Sequence, residues 1–441
     1  LKYVFFRTDG LELVAATTMS RKRGRSSEVA GLVAEAPDAA AAAAAPRQAS
    51  GGGVKKPTTP LLLDVAELQK RLARDRGTLQ LAAAARAKQL HASVPDPQAS
   101  VPDPHCAEGE LYSARTGELL GPGGKIRVEE EVGKGHFARV FRCTCVDDGR
   151  QLAIKIVRAD PLVRQAAEKE VAMRRHIRAE AMGVNAGRDR YLVDLAPPEA
   201  FEHSGHFCIA FALGRCDLRR GLQKYCRGGG FSVGAARAFC GNIFEALSFL
   251  RHLAIVHSDV KPENLLMSAD KTHVKITDFG SAMYAKDAVN RPDIQPRYYR
   301  APEVILGQRY GTQIDVWSAG ATLFEIVTGR ILFVAGDNES MLHEMLKVSG
   351  AMPKRMALEG SFASQHFDPD GGLRLRDGGS IPMSTFTEPL EPVQADLEAL
   401  IGARDASQLG PLADFITKCL LLDPSERMSP ETALEHRFLR A

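Results

Sequence analysis

The sequence predicts an α+β chain of two lobes, a small strand-rich lobe with one main helix followed by a larger, mainly helical lobe, behind a disordered tail. Three observations carry that expectation. Residues 20–60 are built from Ala, Gly, Pro, Ser and basic residues, strand-like apolar alternation sets in from Lys125, and after FCIAFAL (207–213) the pattern turns mostly helical to the end.

In the tail, AEAPDAAAAAAAPRQASGGG holds too few large apolar side chains to offset the entropy of ordering them, so disorder is expected. SRKRGR (20–25) reads as a nuclear-import element or, equally, as a chance basic cluster. Leu61, Leu63, Val65, Leu68 and Leu72 fall near one helical face, with Glu67 and Arg71 as an i,i+4 pair, so a marginal helix is expected within 61–90. SVPDPQASVPDP (93–104) repeats SVPDP and reads as a stiff linker. The expected organisation is therefore a basic low-complexity tail over 1–102, an extension over 103–125, and a domain over 126–440 with lobes at 126–212 and 213–440. Within the small lobe, IRVEEEVGKGHFARVFRCTCV reads as two strands around a Gly-bearing turn, QLAIKIV as a third strand and RQAAEKEVAMRRHI as the helix. FCIAFAL is another buried strand, and a hinge falls near Ala212–Gly214.

Composition excludes several classes. The 441 residues carry 44% hydrophobic and 25% charged side chains, ordinary for a globular protein. The net charge of +3 is unevenly spread, with 15 Lys+Arg against 9 Asp+Glu in residues 1–102, and 42 against 45 in the rest. A basic tail on a nearly neutral body suits an anionic partner or an import receptor, and equally a merely solvated tail. Direct nucleic-acid binding is not indicated beyond that tail, because no aromatic or RNP-like segment interleaves with the basic residues. No apolar run approaches the roughly 18 residues of a membrane span, and LKYVFF lacks the apolar stretch of a secretory signal. The chain opens without Met, and Met19, followed by SRKRGRSS, reads as a candidate start. The eight cysteines (106, 143, 145, 208, 216, 226, 240 and 419) form no CxxC and no zinc-finger spacing, so free thiols in a reducing compartment are expected.

The chemistry-bearing residues come in order along the domain. Val132-Gly133-Lys134-Gly135-His136-Phe137-Ala138-Arg139-Val140 places glycines in a turn between strands, where backbone N–H groups can approach phosphate oxygens without a Cβ in the way. Ala138 stands where a GxGxxG pattern has its third Gly, so the turn alone reads as a plain hairpin. Lys155, inside the apolar strand LAIK, needs a counter-charge, because burying an ammonium alone is very costly. Glu170 on the following helix supplies it. Glu168 competes, but only Glu170 is followed by Val171 and Met173 in the pattern expected of that helix. IVHSDVKPENLLM (255–267) then offers Asp259, Lys261 and Asn264, and KITDFGSA offers Asp278. A carboxylate and an amide oxygen suit a hard cation such as Mg²⁺, which also bridges nucleotide phosphates.

Taken together, the Gly-turn, Lys, Glu, HxDxKxxN, DFG and YYRAPE in this order resemble a eukaryotic protein kinase. The resemblance covers roughly residues 103 to 440 and implies a two-lobed protein kinase fold, with ATP and Mg²⁺ as the cofactors and protein hydroxyls as the acceptors. It assigns 132–140, Lys155 and Glu170 to ATP, Asn264 and Asp278 to the metal, and Asp259 with Lys261 to catalysis. Glu303 and Arg427 resemble the ion pair that ties the activation segment to the lower lobe. Asp315 and Trp317 in DVWSAG resemble the helix that holds the catalytic loop's backbone, and His257 is read as structural. Phe211 falls at the gatekeeper position. Arg297 and Arg300 in PRYYRAPE, TGRILF (328–333) and the insertion after it point to the CMGC group. HSD in place of HRD, GAMPKRM (350–356), QHFD (365–368) and AEGELYSARTGELL (107–120) resemble the splicing-associated pre-mRNA-processing Ser/Thr kinases, near the dual-specificity tyrosine-regulated branch. That branch implies spliceosomal substrates and a nuclear location.

Three positions depart from the wider family. Ser258 removes the Arg that in many kinases pairs with an activation-loop phosphate. Asp293 stands where relatives carry an activation-loop Tyr, so a carboxylate could pair with Arg297 without phosphorylation, or it is simply an exposed Asp. Pro296 replaces a Ser or Thr that would approach Asp259. The expected function is Ser/Thr phosphorylation of pre-mRNA splicing factors, and the alternative is a pseudokinase scaffold that binds nucleotide or partners without turnover.

Overall fold

The computed structural model describes residues 111–288, 293–376, 378–401 and 406–441. The tail readings over 1–102, including the helix at 61–90 and the basic cluster at 20–25, lie outside the described residues, as does Cys106. The other seven cysteines are free thiols, and six of them are buried.

The small lobe is a six-stranded antiparallel sheet built from β1 (Leu119–Leu120), β2 (Ile126–Lys134), β3 (Ala138–Cys145), β4 (Gln151–Val157), β5 (Leu195–His203) and β6 (His206–Ala212). Its strand order is β1-β2-β3-β4-β6-β5. Period-two alternation decides what each face does. Leu152, Ile154 and Ile156 of β4 pack with Phe141, Cys143 and Cys208 on one face. Ala153 and Val157 pack on the other, with Val140, Ile209, Phe211 and the helix side chains Val163, Ala167 and Val171. Lys155 sits between Ala153 and Val157 in that alternation, so the pleat itself turns its ammonium toward the helix. The strand β5, with the bond between Pro197 and Pro198 cis, was not anticipated from the sequence. Proline there removes ladder donors and hides the strand pattern.

The helix is α1 (Pro161–Glu180), which starts earlier than RQAAEKEVAMRRHI suggested. The reason is local. Asp160 caps it, its carboxylate accepting from the amides of Leu162 and Val163 at 2.9 and 3.0 Å, and Pro161 occupies the first turn where no amide partner is needed. Val163, Ala167, Glu170, Val171, Arg174 and Ile177 form its buried face, whereas Glu168 lies on the exposed side and pairs with Arg164 at 2.9 Å.

The large lobe follows through Leu213 and Gly214. Its labelled elements are β7 (Cys216–Asp217), α2 (Leu218–Tyr225), α3 (Val233–His252), β8 (Ile255–Val256), β9 (Leu265–Met267), β10 (Val274–Ile276), β11 (Met283–Tyr284), α4 (Gln313–Thr328), α5 (Asn338–Ser349), α6 (Val393–Ile401) and α7 (Ala406–Cys419). α4 is buried from Ile314 to Thr328 and forms the spine of the lobe, packed between α3 and α7. Gly230 lets the loop before α3 lie directly on the end of α4, since a Cβ there would fall 2.0 Å from the Val327 carbonyl oxygen. The small strands place the chemistry. β9 and β10 pair antiparallel, as do β8 and β11, so the loop 257–264 and the segment 277–282 emerge side by side. The end of β10 also meets the small lobe, with Val193 N donating to Ile276 O and Ile276 N to Tyr191 O at 2.9 and 2.8 Å.

Candidate active site

The cleft between the lobes gathers most of the polar residues singled out above. Lys155 Nζ donates to Glu170 Oε2 at 2.9 Å and to Asp278 Oδ1 at 3.2 Å, and all three side chains are nearly inaccessible. The competitor Glu168 takes no part. Burial opposes a charge on Lys155, but the carboxylates of Asp278 and Glu170 outweigh it and lift the ammonium above its usual range. Glu170 is pushed up by burial, which Lys155 only partly offsets. Asp278 is held down by Lys155 against the same burial. One oxygen of Glu170, Oε1, is buried without a hydrogen-bond partner.

Across the cleft, Lys261 Nζ donates to both oxygens of Asp259 at 2.5 and 2.7 Å. Asn264 Nδ2 donates to Asp259 O and Oδ2, each at 2.8 Å. With its nitrogen so committed, Asn264 leaves its amide oxygen as the end available to a cation. Asp278 commits Oδ1 to Lys155 and sits at a left-handed φ of 62°. The donor set is therefore one carboxylate and one amide oxygen, hard ligands that fit Mg²⁺ shared with nucleotide phosphates. Among the described residues no cluster of three His, Cys, Asp or Glu forms a metal site independent of such phosphates. Ahead of the cleft, Lys134 and Arg139 pair in register, and Gly135 N donates to Ala138 O at 2.9 Å, closing the hairpin 132–140 with Gly135, His136 and Phe137 at its tip.

The loop carrying Asp259 is held from below. Asp315 on α4 accepts from His257 N and Ser258 N at 2.7 and 2.8 Å, and burial pushes its carboxyl up to about 7. His257 Nε2 faces Thr277 O at 3.0 Å and Nδ1 faces the Asp259 amide at 3.3 Å. Only the tautomer with its proton on Nε2 serves both. Farther out, Arg427 makes a two-pronged contact with Glu303 at 2.7 and 3.0 Å. Arg297 donates to Gly336 O, and Arg300 to the carbonyls of Ile294 and Gln295. Asp293 is exposed, and its charge acts on Arg300, whose guanidinium burial and Arg297 push down to about 10. Pro296 lies at the start of the turn 297–299. Phe211 on β6 is buried and pairs in register with Ala153 and Leu195.

Three residues at the site were not found from the sequence. Arg174 lies four residues after Glu170 on the same buried face, its guanidinium 4.6 Å from the Phe279 ring centre. The 3.6-residue period placed it on that face, but its charge argued for the surface. Gln295, at φ 66°, ties the activation segment to α4 through Ile314 O and Ser318 Oγ at 2.9 and 2.8 Å. Arg219 bridges Glu263, Glu325 and Tyr299 beneath the catalytic loop.

A strand-rich lobe over a helical lobe, with a lysine–glutamate pair facing an aspartate and an Asp–Lys–Asn cluster across the cleft, defines a phosphotransferase-type fold. The chain belongs to the protein kinase family: the protein kinase domain matches residues 126–439. It is 32% identical over 319 residues to the serine/threonine-protein kinase prp4 of Schizosaccharomyces pombe, covering 70% of this chain and 66% of that one. It is 30% identical over 338 residues to the serine/threonine-protein kinase prpf4B of Dictyostelium discoideum, covering 75% and 41%. It is also 32% identical over 317 residues to the dual specificity tyrosine-phosphorylation-regulated kinase 2 of Drosophila melanogaster, covering 72% and 41%. The matches thus span between 41% and 66% of these relatives' own lengths. No helix among the described residues is long and apolar enough to cross a membrane.

Proposed function

We propose that this chain transfers the γ-phosphoryl group of ATP to Ser or Thr hydroxyls of proteins. The observation that carries the reading is the closed set of contacts in which Lys155 holds Glu170 and Asp278 together while Lys261 and Asn264 converge on Asp259. In this reading Glu170 fixes Lys155 where its ammonium meets the nucleotide phosphates, and the hairpin 132–140 covers them. Asp259 orients the acceptor hydroxyl and takes its proton as the new O–P bond forms and the bond to the departing ADP breaks. Lys261 offsets charge on the transferring group. Asn264 and Asp278 would hold Mg²⁺, which supplies positive charge against the phosphates when bound. Further support comes from Asp315, which fixes the backbone of the loop that carries Asp259.

We further propose that the acceptors are pre-mRNA splicing factors and the location nuclear, on the subfamily resemblance of HSD, GAMPKRM, QHFD and the 107–120 lead-in. Phosphoproteomics after selective inhibition tests that finer reading. The activity itself is tested by radiolabel transfer from ATP to a generic basic protein, wild type against Asp278→Ala and Asp259→Asn. Each substitution should lower transfer at least about a hundredfold. A wild type that binds Mg²⁺ and ATP but transfers nothing would overturn the reading in favour of a nucleotide-binding scaffold.

A further inference from the structure

We propose that Ser258 is a positioning residue that latches the segment following Asp278, so that the orientation of Asp278 does not depend on a phosphate in the activation segment. The position lacks the long cationic side chain that could reach such a phosphate. What it has instead is a hydroxyl that donates to the carbonyl oxygen of Ser281 at 2.7 Å. Ser258 is only 2% exposed, so water competes little for that donor.

The direction of the hydroxyl is built in. Ser258 adopts φ 62°, a left-handed conformation that side chains other than glycine rarely take and that persists only when its surroundings impose it. Asp315 imposes it, accepting the amides of His257 and Ser258 on its two oxygens. The buried carboxylate that shapes the catalytic loop therefore also aims Ser258 Oγ.

The target needs holding. Asp278 is itself at φ 62°, and a single 3₁₀ turn, Phe279–Ser281, separates it from Ala282 and β11. Two consecutive residues of the catalytic loop clasp this turn from both sides. His257 Nε2 donates to Thr277 O just before Asp278, and Ser258 Oγ donates to Ser281 O just after Gly280. The ladder between β11 and β8, with Met283 opposite Val256, continues the attachment. Without the Ser258 bond, the turn keeps the hydrogen bond on its upstream side and the packing of Phe279 against His257 and Arg174, and its backbone is next tied at β11. The same bond joins two segments that both feed the cleft, and so ties the turn after Asp278 directly to the loop that carries Asp259.

The functional consequence rests on the reading of Asp278 as the metal-holding carboxylate; the latch itself does not. Hydrogen exchange of the backbone amides in 278–284, read on the full chain without nucleotide, tests the latch for wild type, Ser258→Ala and Ser258→Cys. Removing one shielded hydrogen bond should raise exchange there about five- to tenfold in Ser258→Ala, with Ser258→Cys, a weaker donor of similar size, in between. Amides of α4 should keep their wild-type rates. The affinity for Mg²⁺ with ADP, measured by calorimetry, should fall in the same order. Unchanged exchange at 278–284 in both variants would overturn the latch, and so would an equal rise throughout α4, which would mark a general loss of stability. Should Ser258→Ala fail to fold, Ser258→Cys decides by the same criterion. A wild type that transfers no phosphate, yet whose variants exchange faster at 278–284, would sink the catalytic reading and leave the latch standing.

Discussion

Arg174 puts a positive charge where the buried face of α1 would be expected to carry an apolar side chain. Its guanidinium lies on the Phe279 ring, burial pushes it down to about 10, and Nη1 has no hydrogen-bond partner. At that value it stays charged at neutral pH. Burial works against that charge, while the ring contact and the carboxylates of Asp194, Glu170 and Asp189 favour it. Arg174→Met would leave those carboxylates without the cation and should cost about 1–3 kcal/mol in urea unfolding, while unchanged or raised stability would show that desolvation of the guanidinium outweighs its contacts. His257 gives a pH dependence of definite sign. Burial lowers its folded value below the ordinary 6.5, and both ring nitrogens are used by the neutral form. Its contribution to stability is thus full above 6.5 and is lost as pH falls below that point. The stability of wild type minus that of His257→Phe should decline on acidification below 6.5 by at most about 1.4 kcal/mol per pH unit. A flat difference between pH 5 and 7 would contradict the assignment.

At the scale of elements, a buried ion pair fastens the activation segment to the base of the large lobe, beside the bonds of Gln295 to α4. Arg427 uses both terminal nitrogens on Glu303, spends its remaining donors on the carbonyls of Leu421, Gln313 and Leu422, and lies 5.2 Å from the Trp317 ring. Both side chains of the pair are essentially inaccessible. Arg427→Met would strand the Glu303 carboxylate and should cost about 3–5 kcal/mol in denaturant unfolding, whereas Arg427→Met with Glu303→Leu should recover most of that loss. No recovery in the double variant would mean that the carbonyl contacts, and not the paired charge, carry the stability. The helix that this pair abuts also carries Asp315, which connects the anchor of the activation segment to the backbone under Asp259.

Over the whole molecule, much of the arrangement was legible from the order of residues. Lys155 in an apolar strand calls for a carboxylate, Val171 and Met173 after Glu170 favour it over Glu168, and the ion pair forms with Glu170. Glu303 with Arg427, and Asp315 beneath the catalytic loop, also stand where the motifs put them. β5 is not legible in the sequence because its prolines break the strand pattern, and α1 begins ahead of its apolar period because its cap lies in the preceding turn. Gln295 carries no signal, since a glutamine in a loop is ordinary until its surroundings are known, and Arg174 carries a conflicting one, its spacing pointing to the buried face of α1 and its charge to the surface.

The order of residues settles the chemical inventory and the face of each element on which it falls, because the periods of strand and helix are properties of the local backbone. Which partner each polar group meets was decided only by the tertiary structure. Ser258 and Ser281 stand 23 residues apart, and nothing in either neighbourhood says that they touch. Read locally, Ser258 is an arginine lost; folded, it is a hydrogen bond gained, because the pairing of β8 with β11 and the carboxylate of Asp315 bring its hydroxyl to that carbonyl.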